Sequence, residues 1–159
     1  MKLLYICAHP IPNLTSLFKE LNKKDKISFK TVYWQDLSDD VHDTTFNQVI
    51  NFGIDQHSGY DYFCLCNKKR KSADYSFLFQ LKTLFRLIKF IIKEDFDVIA
   101  FHGYYFPYIF ASILAKLKRK KTIMRSISYN LGKRNIVKKI MRFCYYSFTN
   151  IFFDQFWSI

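Results

Sequence analysis

Six apolar residues in succession, Leu3 to Ala8, end abruptly at His9-Pro10. A run of strand length without alternation is the pattern of a strand covered on both faces, and it predicts β-structure over 2–7. The loop His9-Pro10-Ile11-Pro12-Asn13 follows, with Asn13 placed to cap a helix running to about Asn22. Ser28 to Trp34 alternates well enough for a second strand, whereas residues 35–60 are polar and lack a clear period. Tyr60 to Leu65 reads as a third strand, ended by the basic turn Asn67 to Lys71. Ser76 to Lys93 is the strongest helical segment. Its cations Lys82, Arg86, Lys89 and Lys93 follow at spacings of 4, 3 and 4, on one narrow face, while Phe77, Leu81, Leu84, Ile88 and Ile91 fill the rest. A strand over 98–102, a helix from about Pro107 to Lys118, and a strand from Thr122 to Ser126 come next. A basic helix over about Lys133 to Phe148 and an apolar tail from Phe152 to Ile159 complete the chain.

Strands alternating with helices of ten or more residues predict βαβ units. The expected fold class is therefore α/β, a Rossmann-like three-layer domain with a mostly parallel sheet, and its 159 residues suit a single domain over 1–159. Val98 to Ala115 could imitate a membrane span, since it holds no Asp, Glu, Lys or Arg over 18 residues. The β-prone opening, followed by His102, Gly103 and Pro107, favours strand, turn and helix instead. The first apolar run is likewise too short for the core of a secretion signal.

Charge is unevenly spread. Residues 1–80 carry 10 basic and 9 acidic side chains, while residues 81–159 carry 15 and 4. The tract from Lys116 to Arg142 alone holds eleven Lys or Arg and no acid. With the cationic face at 82–93, it suits an anionic membrane surface. No RNP-like aromatic motif or recognition-helix signature accompanies it, so nucleic acid is not the expected partner. A solvated face in a lysine-rich chain is the plain alternative. Cys7, Cys64, Cys66 and Cys144 offer one close pair without a second pair or nearby His, so no metal site is expected and free thiols are.

His102-Gly103 closes an apolar strand. In doubly wound sheets ligands gather outside the carboxyl ends of the strands, where a histidine can donate a hydrogen bond or relay a proton. His9 stands at the equivalent edge of the first strand, and Asp55, His57 and Tyr60 belong to a polar loop that could line a cleft. The plain alternatives are turn and surface residues. Neither a Gly-x-Gly-x-x-Gly nor a Walker loop occurs in the chain, which has 4 Gly in all.

The order of features resembles the N-terminal, acceptor-side domain of a family 4 glycosyltransferase of the GT-B fold, a family of bacterial surface-polysaccharide synthesis. The resemblance spans almost the whole chain: Lys2 to Ile6 with its proline loop, Gly59 to Phe63, Asp97 to Tyr104, Lys121 to Ser126, and Phe153 to Ile159. It implies His102 as the catalytic residue reaching the donor sugar. It also implies that His9, Gly103, Tyr60 and Arg125 border the substrates. The first loop departs from the family in lacking glycines, and Ile127 stands where relatives often carry an acid.

The expected function is thus the acceptor-binding half of an enzyme moving sugar from a nucleotide-sugar, as co-substrate, to a lipid-linked or polysaccharide acceptor. No cofactor or metal is expected. The donor-binding domain with its pair of glutamates has no counterpart in the chain, so a separate donor-binding chain is an expected partner, and residues 1–159 alone are expected to be inactive. The resemblance implies a cytoplasmic location, peripheral at the inner face of the plasma membrane. The competing classes are a nonenzymatic basic module for anionic membrane or nucleic acid, and a truncated inactive relic.

Overall fold

A computed structural model of the chain describes residues 1–37, 41–43, 48–51, 53, 55–66, 72–103, 105–126, 147 and 154–158. The main elements are β1 (Lys2–Cys7), α1 (Pro12–Asn22), β2 (Ser28–Tyr33), β3 (Val41–Asp43), β4 (Gln48–Ile50) and β5 (Asp61–Cys64). They continue with α2 (Phe77–Lys93), β6 (Val98–His102), α3 (Phe106–Leu117), β7 (Lys121–Ser126) and β8 (Gln155–Ser158). Six strands form one sheet in the order β5-β2-β1-β6-β7-β8, and every pairing in it is parallel. The order runs outward from β1 in both directions. The chain therefore reverses its direction of travel across the sheet between β1 and β6, the switch point of a doubly wound fold.

Side-chain alternation builds the layers. Leu4 and Ile6 of β1, Ile99 and Phe101 of β6 and Met124 of β7 pack beneath α2 and α3 against Leu87, Ile91, Tyr108 and Ala111. Tyr5, Cys7, Phe29, Tyr33 and Ala100 point the other way, to Leu14 and Phe18 of α1. The α/β, Rossmann-like, parallel architecture read from the sequence is the one observed. The segment 98–115 divides into β6 and α3 around Gly103, and among the described residues no helix is long and apolar enough to cross a membrane.

Several details differ from the sequence reading. Helix α1 begins with Ile11 as its N-cap and Pro12 in the first turn, not with Asn13 as cap. Proline has its φ already helical and lacks the N–H that the first turn leaves unpaired, so it takes that position. The aperiodic stretch 35–60 contains the short antiparallel β3–β4 pair, and the tail supplies the edge strand β8. The predicted basic helix over 133–148 lies outside the described residues, apart from 147. Three of the five cations in the Lys116–Lys121 run are engaged within the fold. Lys118 Nζ donates to the carbonyls of Ile91, Ile92 and Glu94 at 2.8, 3.3 and 3.0 Å. It thereby neutralises the negative end of α2. Lys116 pairs with Asp154, and Lys120 lies 3.5 Å from Asp95.

Candidate functional site at the carboxyl edge

Asp97 and His102 bound β6 at opposite ends. The Asp97 carboxylate accepts the Lys2 N–H at 2.7 Å and fastens β6 to the start of β1, at the amino edge of the sheet. That edge also holds a cavity of about 320 Å³ lined by Lys2, Lys30, Asp61, Glu94 and Asp95. Its charges already satisfy one another, with Lys30 lying 2.5 Å from Glu94 and Lys2 lying 2.6 Å from Asp95. The open chemistry lies at the other end.

There, β1, β6 and β7 deliver His9, His102 and Arg125 to one edge. The register pairs His102 with Arg125, and Gly103 N–H donates to the Arg125 carbonyl at 2.9 Å. Gly103 has φ +90°, and a Cβ there would lie 2.9 Å from the Tyr105 ring, so this turn needs glycine on two counts. By alternation, His102 and Arg125 share the α1 face with Tyr5, Ala100 and Ile123.

The Tyr5 hydroxyl lies 3.2 Å from His102 Nδ1. Burial raises the Tyr5 pKa, so the phenol is neutral, and the nearby Arg125 charge only partly offsets this. A neutral phenol can donate as well as accept, so the Tyr5 O–H can be directed at His102 Nδ1. In that arrangement the His102 proton sits on Nε2, which can donate to a ligand. His9 is held differently. Its Nδ1 lies 2.8 Å from the Pro10 carbonyl, which can only accept, so Nδ1 carries the proton and Nε2 keeps a lone pair. The crevice edge thus offers one ring donor and one ring acceptor.

Burial lowers the His102 pKa to about 4, with the Arg125 charge and then His9 adding to the shift. Burial also lowers the His9 pKa, against the Pro10 hydrogen bond. Both rings are neutral at pH 7. The linkage has a definite sign. Between pH 6.5 and 4 the unfolded chain takes up a proton on His102 that the folded chain does not, so stability falls with pH across that window and levels below it. The loss approaches about 3 kcal/mol. Urea denaturation at pH 7, 5.5 and 4 should show this decline, and His102→Asn should flatten it.

Two helix N-termini reach the same edge, because α1 follows β1 and α3 follows β6. Neither Ile11 nor Tyr105 caps its helix through a side chain, and neither first turn holds an acid, whereas Ser76 caps α2. With Arg125, these positive ends favour an anionic group. Among the described residues, no three His, Cys, Asp or Glu gather to hold a metal ion.

The fold has known counterparts. The chain is similar to UDP-GlcNAc 2-epimerase from Neisseria meningitidis bound to UDP-GlcNAc, at 20% identity and a TM-score of 0.54, over 99% of this chain and 40% of that one. It is similar to UDP-GlcNAc 2-epimerase from Methanocaldococcus jannaschii at 15% identity and a TM-score of 0.55, over 99% and 39%. UDP-N-acetylglucosamine 2-epimerase from Rickettsia bellii gives 17% identity and 0.54, over 98% and 38%. The likeness is one of fold. The chain spans about two fifths of the length of these structures. No family model and no curated protein sequence matches it. The resemblance to family 4 glycosyltransferases is thereby supported as far as its architecture.

Of the residues singled out in the sequence, His9, His102, Gly103 and Arg125 come together. Tyr60 does not join them. Its ring is buried beside Phe18 and Phe29, and its hydroxyl meets that of Tyr33 at 2.8 Å and the Gln56 carbonyl. His57 lies with Asp36 at 3.1 Å and stacks on Tyr62, in the β2–β5 half of the sheet. Tyr5 was hidden within an apolar run. Its signal is the shared parity with Cys7, which puts it on the face that His102 enters.

Proposed function

We propose that this chain is the acceptor-side half of a sugar-nucleotide enzyme of GT-B architecture, with its reaction crevice outside the carboxyl ends of β1 and β6. The observation that carries the proposal is a neutral His102, hydrogen-bonded to Tyr5 and paired in register with Arg125, standing at the switch point of the sheet. Its Nε2–H suits a sugar hydroxyl or a phosphate oxygen, while Arg125 and the two uncapped helix ends suit the negative charge of a nucleotide diphosphate. In the preferred reading the enzyme transfers sugar. The bond from the anomeric carbon to phosphate breaks, the acceptor oxygen takes its place, the acceptor proton leaves, and the nucleotide departs. The acceptor is lipid-linked or a polysaccharide, and the nucleotide-sugar is a co-substrate rather than a bound cofactor. The solved epimerases favour a second reading, inversion at C2 of the same class of substrate.

One experiment separates the two. The purified chain is incubated in D2O with a panel of UDP-sugars and acceptors, with and without a donor-binding-domain protein. The transferase reading expects a glycosylated acceptor only when the second half is present, and no deuterium at C2. Epimerisation by proton removal expects deuterium at C2 without any acceptor. Turnover of neither kind, with the second half supplied, contradicts both.

A further inference from the structure

Helix α2 packs one side against the sheet and α3 through Phe79, Thr83, Leu84, Leu87 and Ile91. Its opposite side is unusual for a soluble surface. Leu78, Phe85 and Ile92 are 70%, 65% and 59% exposed. They alternate with the exposed Lys82 and Lys89 at spacings of 4, 3, 4 and 3, and Arg86 and Lys93 lie alongside. At 100° per residue these seven side chains occupy an arc of about 120°, with the apolar groups along one margin and the cations along the other. The stripe runs the length of a 17-residue helix, about 25 Å. No acid occurs within α2, and Lys82, Lys89 and Lys93 form no ion pair with any described residue. Arg86 reaches the Leu65 carbonyl at 3.0 Å, which holds its stem against the body of the domain.

A nucleic-acid surface needs cations, but it has no use for a leucine, a phenylalanine and an isoleucine set between them at this exposure. A protein partner would more commonly meet such a patch with acids, and among the described residues no acid of this chain does so. Cations beside protruding apolar side chains match a layer of anionic headgroups above acyl chains. We propose that this face of α2 docks on an anionic phospholipid bilayer, with Leu78, Phe85 and Ile92 entering the headgroup–acyl boundary and the four cations meeting the phosphates. The inference stands apart from the sugar-nucleotide reading. It also narrows the charge-based expectation from the sequence, because Lys116, Lys118 and Lys120 are engaged within the fold. The α2 axis runs antiparallel to the strands, so Leu78 lies toward the same sheet edge as His102. A docked molecule would therefore bring that edge close to the bilayer.

Flotation of the full chain with vesicles of phosphatidylcholine, with or without phosphatidylglycerol, tests the proposal. Binding is expected with the anionic vesicles, weakening as salt rises. Lys82→Glu combined with Lys89→Glu should lower the partition coefficient about 30-fold or more. Phe85→Ser combined with Ile92→Ser should lower it about tenfold or more even at low salt. Both pairs are on the surface, and circular dichroism confirms that each variant is folded. Equal binding to neutral and anionic vesicles, or wild-type binding by the charge-reversed variant, overturns the proposal. So does DNA binding or dimerisation through this face in the absence of vesicle binding.

Discussion

His102→Ala, assayed with the donor-binding half present, is expected to lower kcat/KM by about 10²–10³-fold, the usual cost of removing one oriented donor from a reaction centre. The reasoning concerns protonation. Burial lowers the His102 pKa to about 4, so the ring is neutral at pH 7. With the Tyr5 hydroxyl donating to Nδ1, the ring carries an Nε2–H that can meet a ligand. His102→Gln can place an amide N–H in a similar position and should recover part of the loss. Tyr5→Phe frees Nδ1 to carry the proton, so it should reduce turnover less than His102→Ala does. It should also change the pH profile, because the ring is then no longer held in one tautomer. Equal activity of His102→Ala and wild type would remove His102 from the site.

Trp34→Ala is expected to destabilise the chain by about 3–5 kcal/mol, a large share of the 5–15 kcal/mol typical of a domain. Trp34 is fully buried just after β2. Its ring meets Tyr105 and Tyr108 edge-on, at centroid distances of 4.7 and 5.1 Å. Truncation would leave a cavity beneath the turn that carries Gly103 and starts α3. Trp34→Phe should cost far less, since the indole Nε1 has no hydrogen-bond partner among the described residues to lose. Urea unfolding followed by circular dichroism checks both. If Trp34→Ala unfolds at the wild-type urea concentration, this ring does not hold the α3 start against the sheet.

Much of the architecture could be read from the sequence because its physics is local. Val98-Ile99-Ala100-Phe101 is an apolar run too short for a buried helix, and the His102-Gly103 turn before Pro107 separates it from α3. That same turn marks the edge at which the site is proposed. What stayed hidden depends on distant residues. Tyr5 became a partner of His102 only when β1 paired with β6 in a register setting Tyr5 beside Ala100. Tyr60 looked like a cleft residue in a polar loop, yet Phe18 and Phe29 arrive from other elements to bury it. Lys118 looked like part of a cationic run, yet it closes the end of α2, which is 26 residues away at Ile92.

The central claim is that a sugar nucleotide meets the carboxyl edge of β1 and β6. Histidine-ring NMR tests it most directly, because weak binding still displaces resonances near the ligand. The chain is titrated with UDP-GlcNAc while the His9, His57 and His102 rings are followed. The His102 and His9 signals should shift together while His57, held by Asp36 and Tyr62 elsewhere on the sheet, stays in place. Shifts of His57 alone, or no shift of His102 at saturating nucleotide, would contradict the account.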